Sequence, residues 1–243
     1  MKDHKDIQIA FAFPNPGDVS SYFHYSVVGM TLYENSKNFR SNPVDDDSII
    51  GTSHLGSFLN QPESCYVSVG RSKISNDLIH SPAQDTHVLM IDPDISFSRN
   101  LLDLIVVHLV TFPEVEILAG RVNIGNGYPV FYKDEYGARV QQIQPFYGVK
   151  DFDGVGTGII VISRKALEDM AQKEGNISFF MHLFQHGREH GDDFSFCERA
   201  KKHGYKLWGA WAITGIHHKV LPVPSKYPET ITEIAPGFGV PKK

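Results

Sequence analysis

Cysteine is nearly absent: Cys65 and Cys197 are the only two among 243 residues. Two cysteines so far apart do not make the framework of a disulfide-stapled fold, and a reducing, cytoplasmic setting is the expectation. Long apolar runs are missing as well. The longest, Leu101 to Val110, is broken by Asp103 and His108, whereas a bilayer-spanning helix needs about 20 apolar residues. Met1 to Asp6 is polar and charged, so neither a signal peptide nor a membrane anchor is expected there. Nor is there an excess of positive charge: 23 Lys and Arg against 28 Asp and Glu leave a formal charge of -5. That balance speaks against unselective binding to nucleic acid or anionic membrane, and any anionic ligand must be met by a local group. Repeats and low-complexity tracts are also lacking.

What is present is an ordinary globular composition, 41% hydrophobic and 21% charged, enough to bury a sizeable core in a single domain. Ile7 to Phe13 is a short apolar run closed by Pro14-Asn15-Pro16-Gly17, the pattern of a buried strand running into a turn. A helix capped by Ser20 or Ser21 is expected through Tyr33, and Ser36 to Gln61 supports no assignment. Cys65 to Val69 reads as a strand, Arg71 to His80 as a helix, and His87 to Ile91 as a second buried strand. A helix capped by Ser98 runs to Thr111. Val115 to Ala119 is a third strand, and Arg121 to Tyr136, rich in Gly, Tyr and Asn, reads as loop. Helices over Ser163 to Gln172 and Asp193 to His203, the latter stopped by Gly204, precede a strand over Leu207 to Ile216. The tail from Leu221 is proline-rich, an extended arm. Alternating strands and helices give an α/β sheet, which binds ligands beyond the carboxyl ends of its strands.

Acidic residues stand where the second buried strand emerges: Asp92-Pro93-Asp94. An Asp-x-Asp there suits a hard divalent cation such as Mn2+ or Mg2+, which wants oxygen ligands; it equally suits a plain acidic turn formed by Pro93. Three further segments follow in order. Gly154-Val155-Gly156-Thr157-Gly158 leads through an apolar run into Ser163-Arg164-Lys165, Gly191-Asp192-Asp193 opens the helix bearing Phe196, Cys197 and Ala200, and His217-His218 closes the last strand. Taken singly, each has a structural alternative: a turn before a strand, a helix N-cap at Asp193, a histidine bonded to nearby backbone. His182, His186 and His190 have the spacing of a zinc-binding helix face, but Gly187 and the lack of a carboxylate partner weigh against it. Trp208 and Trp211 suit sugar stacking or, more commonly, core packing.

Together these four segments, spanning residues 7 to 219, resemble the GT-A glycosyltransferases. The resemblance implies a single domain over 1–243 on a mixed, mostly parallel central sheet. Residues 7–94 would form the nucleotide-binding half, 95–220 the acceptor side and the rest of the metal site, and 221–243 an extended tail. It implies Mn2+ or Mg2+ held by Asp92, Asp94 and His217, the last favoured over His218. The donor would be a nucleotide-sugar, UDP- or GDP-linked, lying against Pro14, Arg71, Asp92, Asp94 and the glycine loop at Gly156. Asp193 would be the base of an inverting transfer, with Asp192 beside it on the acceptor side; the acceptor, whether glycan, lipid, protein or nucleobase, is open. The metal would stabilise charge on the departing diphosphate, and Arg71 suits a bidentate phosphate contact. Two positions depart from the family pattern: Asp192 stands where a Glu is usual, and Arg71-Ser72 where an Arg-Asn pair is usual. Two rivals remain. A nucleotidyltransferase ordinarily has a basic glycine-rich loop after the first strand, which Pro14 to Asp18 lacks, and an inactive sugar-binding or scaffold protein has no chemical need for the retained Asp92, Asp94, Asp193 and His217.

Overall fold

The structure, a computed structural model, describes residues 3–14, 19–38, 52–61, 66–123, 131–135, 138–142, 144–174, 178–185 and 188–218. The proline-rich tail, Cys65, His186 and the turn at residues 15–18 lie outside them.

The chain begins with β1 (Ile9–Pro14), α1 (Ser21–Asn38), β2 (Leu55–Gln61), α2 (Val67–His80), β3 (His87–Ile91), β4 (Ile95–Phe97) and α3 (Leu101–Thr111). It continues through β5 (Ile117–Asn123), β6 (Phe131–Glu135), β7 (Ala138–Gln141), β8 (Val149–Phe152), β9 (Gly154–Val155) and β10 (Ile159–Ser163). The last elements are α4 (Arg164–Glu174), the short β11 (Leu183–Gln185) and β12 (Arg188–His190), α5 (Asp192–Lys202) and β13 (Leu207–His217). Hydroxyl caps start two of the helices: Ser20 Oγ, as expected, accepts the Phe23 N–H at 3.1 Å, and Ser163 Oγ accepts the Ala166 N–H at 3.0 Å. Gly204, with φ +83°, follows α5 in the left-handed conformation that ends helices.

The main sheet is eight-stranded among the described residues, in the order β2-β1-β3-β10-β5-β13-β4, with β8 also paired to β13. β1 is parallel to β2 and β3, and β5 is parallel to β13. β10 runs antiparallel between β3 and β5, while β4 and β8 are antiparallel to β13. Five of the eight strands therefore point one way, and the sheet is mixed and mostly parallel, as expected. Its central strands β1, β3 and β10 are buried on both faces. Ile74 and Leu78 of α2, Ala166, Leu167 and Met170 of α4 and Phe196 and Ala200 of α5 cover one face. Phe23 and Met30 of α1 and Leu101, Leu102, Ile105 and Leu109 of α3 cover the other.

Some expectations need correction. Val67 to Val69 is not strand but the first turn of α2, because the Val69 and Gly70 amides both bond to the Tyr66 carbonyl at 3.1 Å. Arg121 to Tyr136 is not all loop: β5 runs on to Asn123, and β6 pairs with β7 and β9. α1 extends five residues past Tyr33. α3 starts at Leu101 behind Asn100, with the Ser98 carbonyl accepting the Leu101 N–H. The segment of His182 and His190 is a β-hairpin, and His182 Nδ1 bonds Glu189 at 2.7 Å, so no helical histidine face exists there. Trp211 packs on Phe146 and under Arg121, and Trp208 lines the α3 side of the core. Among the described residues no helix is long and apolar enough to cross a membrane.

This topology puts the candidate residues on one edge. The carboxyl ends of β1, β3, β5 and β13 face the same way, and β10, being antiparallel, starts there. Ile159 pairs with Ile91, so the glycine segment arrives beside Asp92. β1 pairs with β3 as far as Ala12 and Met90, and Pro14, two residues on, emerges level with Asp92.

Candidate functional site

Asp92-Pro93-Asp94 is a tight turn between β3 and β4, held at each residue. The Asp92 N–H bonds the Gly158 carbonyl at 3.0 Å, Ser20 N–H bonds the Pro93 carbonyl at 3.0 Å, and His218 N–H bonds the Asp94 carbonyl at 2.7 Å. Gly158 packs closely here: a Cβ would lie 2.9 Å from Ile95 Cδ1, so a larger residue would push that methyl group aside. Three backbone tethers fix where the two carboxylates start, and the two side chains then diverge.

Asp92 turns toward α2. Arg71, 2% exposed, reaches from the first turns of that helix into a ring of oxygens. Its Nη2 bonds Asp92 Oδ1 at 2.6 Å and the Thr157 carbonyl at 3.3 Å, and its Nη1 bonds Asp192 Oδ2 at 2.6 Å and Asp193 Oδ1 at 3.2 Å. The Thr157 hydroxyl closes the ring with a short hydrogen bond to Asp193 Oδ1. The Phe180 ring lies 5.7 Å from the guanidinium and stacks on Phe196 at 4.5 Å, so the cation is wedged between an aromatic floor and three carboxylates. Burial alone would lower the Arg71 pKa; Asp92, Asp193 and Asp192 together outweigh it and hold the group above its ordinary range. Burial raises the pKa of Asp92, with Arg71 opposing and Asp193 and Asp94 adding to the rise. With all three carboxylates ionised, one cation faces three anions.

Asp94 turns toward β13. Its Oδ2 accepts from or faces His217 Nε2 at 2.7 Å, with the carboxylate 43% and the imidazole 22% exposed. His218 points the other way, Nε2 against Ser96 Oγ at 2.7 Å and the ring flat on Tyr22 with centroids 4.2 Å apart. Adjacent strand residues alternate faces, which is why only one histidine of the pair joins the cleft.

The expected residues therefore form two groups. Arg71, Asp92, Asp192 and Asp193 make one and Asp94 with His217 the other, while Pro14 and Gly156 stand buried at the same edge. Among the described residues no three of His, Cys, Asp and Glu gather in a way that would hold a metal ion. In donor chemistry, Asp94 and His217 fit a divalent cation, an oxygen and an imidazole nitrogen already adjacent and open to solvent. Asp92 is engaged by Arg71 and does not complete a triad with them. Asp193 is not an N-cap: Gly191 occupies that position without a side-chain cap, and the Asp193 carboxylate faces Thr157 and Arg71. Cys197 is buried beneath the site, its Sγ 3.4 Å from the Val155 backbone, and burial pushes its thiol up to about 12, an inert packing group. Sequence reasoning missed Thr157, Ser96 and Tyr22. Only Thr157 gave a sign of itself, as the one hydroxyl inside the glycine segment.

No protein-family model matches the sequence, and no curated protein matches it. The fold is of the GT-A type. Two solved structures carry that likeness. A197 from STIV superposes with a TM-score of 0.58 at 13% identity, over 88% of this chain and 87% of that one. GalNAc-T7, solved with UDP, GalNAc and Mn2+, superposes with a TM-score of 0.57 at 10% identity over 91% of this chain. The match spans 45% of GalNAc-T7, so this chain corresponds to less than half of it.

Proposed function

We propose that the chain is a metal-dependent glycosyltransferase that moves a sugar from a nucleoside-diphosphate donor to an acceptor hydroxyl. The observation that carries this reading is the pairing of Asp94 with His217 on the same sheet edge that receives Asp192 and Asp193 through Arg71. The fold it shares with GalNAc-T7, which was solved with UDP and Mn2+, supports the same assignment.

Asp94 and His217 would hold Mn2+ or Mg2+, with diphosphate oxygens and water filling the remaining positions, as is usual for cations bound by one or two carboxylates. The bound ion supplies a positive charge for the departing diphosphate. Pro14 and the glycine segment at Gly156 line the donor side. Asp193 accepts the acceptor's proton through Oδ2, because Oδ1 is taken by Thr157 and Arg71, and Asp192 stands beside it as an orienting group. A base opposite the leaving diphosphate gives inversion at the anomeric carbon.

The test is release of nucleotide from UDP-, GDP-, CMP- and dTDP-sugars with and without Mn2+. Slow Mn2+-dependent hydrolysis of one donor is expected. Consumption of a nucleoside triphosphate instead would assign the site to nucleotidyl transfer, and inertness toward all of them would leave a binding or scaffold protein.

A further inference from the structure

One guanidinium ties together the two sides of the cleft. Asp92 lies at the end of β3, on the donor side, whereas Asp192 and Asp193 open α5, on the acceptor side. Arg71 reaches both from α2, 21 residues before Asp92 and 121 before Asp192. β3 belongs to the sheet and α5 to the layer over it, and Arg71 of α2 bonds to both. Its two terminal nitrogens divide the work, Nη2 toward Asp92 and the Thr157 carbonyl, Nη1 toward Asp192 and Asp193. The side chain is 3% exposed, seated on Phe180, whose own N–H is held by Ser72 of the same helix at 3.0 Å. A planar fork with fixed donor directions sets distances between its partners in a way that an ammonium group does not. Without it, three carboxylates would repel one another.

We propose that Arg71 is the positioning residue of this site: its guanidinium fixes the separation between the donor-side Asp92 turn and the acceptor-side start of α5, and it does so without touching substrate. Arg71 thereby differs from a phosphate ligand, whose nitrogens would face the cleft and whose loss would weaken nucleotide binding directly. The inference rests on the glycosyltransferase reading for its kinetic consequence and on the geometry alone for its structural one.

Four variants test it: Arg71→Lys, Arg71→Met, Asp192→Asn, and Arg71→Met combined with Asp192→Asn. Arg71→Lys is expected to fold, to bind UDP or GDP with Mn2+ within about threefold of the wild-type affinity by calorimetry, and to lose about a hundredfold in kcat, the cost of misplacing reacting groups by about 1 Å. Arg71→Met should lower the melting temperature by several degrees, and adding Asp192→Asn should restore part of that loss, because the orphaned charge is removed. A tenfold loss of UDP–Mn2+ or GDP–Mn2+ affinity in Arg71→Lys with kcat intact would overturn the proposal and make Arg71 a phosphate ligand. Additive melting shifts for Arg71→Met and Asp192→Asn would also overturn it, since no bridge would then exist. If the wild-type protein binds neither nucleotide, the glycosyltransferase reading fails on its own, and the melting-temperature cycle still decides whether Arg71 couples the two elements.

Discussion

His217 and His218 are neighbours in sequence with separate tasks: one contacts the Asp94 carboxylate and the other lies flat on Tyr22. Replacing His217 with Ala should weaken Mn2+ binding in the presence of UDP or GDP by at least tenfold, whereas His218→Ala should change it by less than about threefold; titration calorimetry separates them. At Asp193 the expected result is kinetic. Asp193→Asn keeps the hydrogen-bonding reach toward Thr157 and Arg71 but takes no proton, so kcat should fall roughly 10²- to 10⁴-fold with donor affinity little changed. Normal turnover by this variant, or a product of retained configuration, would return Asp193 to a purely structural place. The Asp-Pro-Asp turn was legible in the sequence because two acids and a proline directly follow the four apolar residues Val88 to Ile91, where a buried strand must emerge. Arg71 was legible as a functional candidate, but its partners were not. A lone arginine in a helix carries no mark of which carboxylates, 21 and 121 residues away, it will meet.

At the level of elements, short apolar runs translated directly into β1 and β3, because a strand buried on both sides has little polar interruption to blur it. The misreadings share a cause. Val67 and Val69 alternate like strand residues, yet they open α2 because the Tyr66 carbonyl starts the helical bonding. β6 pairs with its neighbour β7 and with β9 in a small three-stranded sheet, although the segment around it, rich in Gly, Tyr and Asn, lacks the apolar alternation of a strand. The described part of residues 36–61, left unassigned from sequence, holds a less obvious element of order. Lys37 near the end of α1 is buried with Glu34 and Asp103 of α3, bonding them at 2.7 and 2.5 Å, and the Glu34 carboxylate receives the His54 N–H at 3.0 Å just before β2. This clamp joins α1, α3 and the entry to β2. Lys37→Met should cost about 3–5 kcal/mol in urea unfolding, since it strands two buried carboxylates. Loss of less than about 1 kcal/mol would mean that water reaches them.

For the molecule as a whole, stability should respond to pH through groups of opposite sign. Hydrogen bonding to Lys202, and then to His203, holds the Glu174 carboxyl below its ordinary value of 4.5. Its native form therefore binds a proton less readily than the unfolded chain. That contribution is complete above the ordinary value and is lost as pH falls through the lower, folded one. Asp92 acts inversely. Burial holds its carboxyl above the ordinary 3.8, so stability from this group declines as pH rises from there through the raised value. Urea midpoints measured between roughly pH 3 and 7 should accordingly fall less steeply toward acid in Glu174→Gln than in the wild type. In Asp92→Asn they should lose the opposing slope. Equal slopes in all three proteins would remove both residues from the acid response.

The antiparallel β10, lying between β3 and β5, has a consequence for the order in which the chain can assemble. Neither neighbour has its sheet partner on that side until residues 159–163 exist, so as the polypeptide leaves the ribosome the central sheet stays split after β5 has been made. β13 comes later still, and with it His217, 123 residues beyond Asp94. Pairings of such long sequence separation form slowly, because the intervening chain must first be drawn in. The cleft is therefore a late event in the life of a nascent chain, and a ribosome-stalled product ending before β13 should carry the acidic turn without the imidazole that faces it.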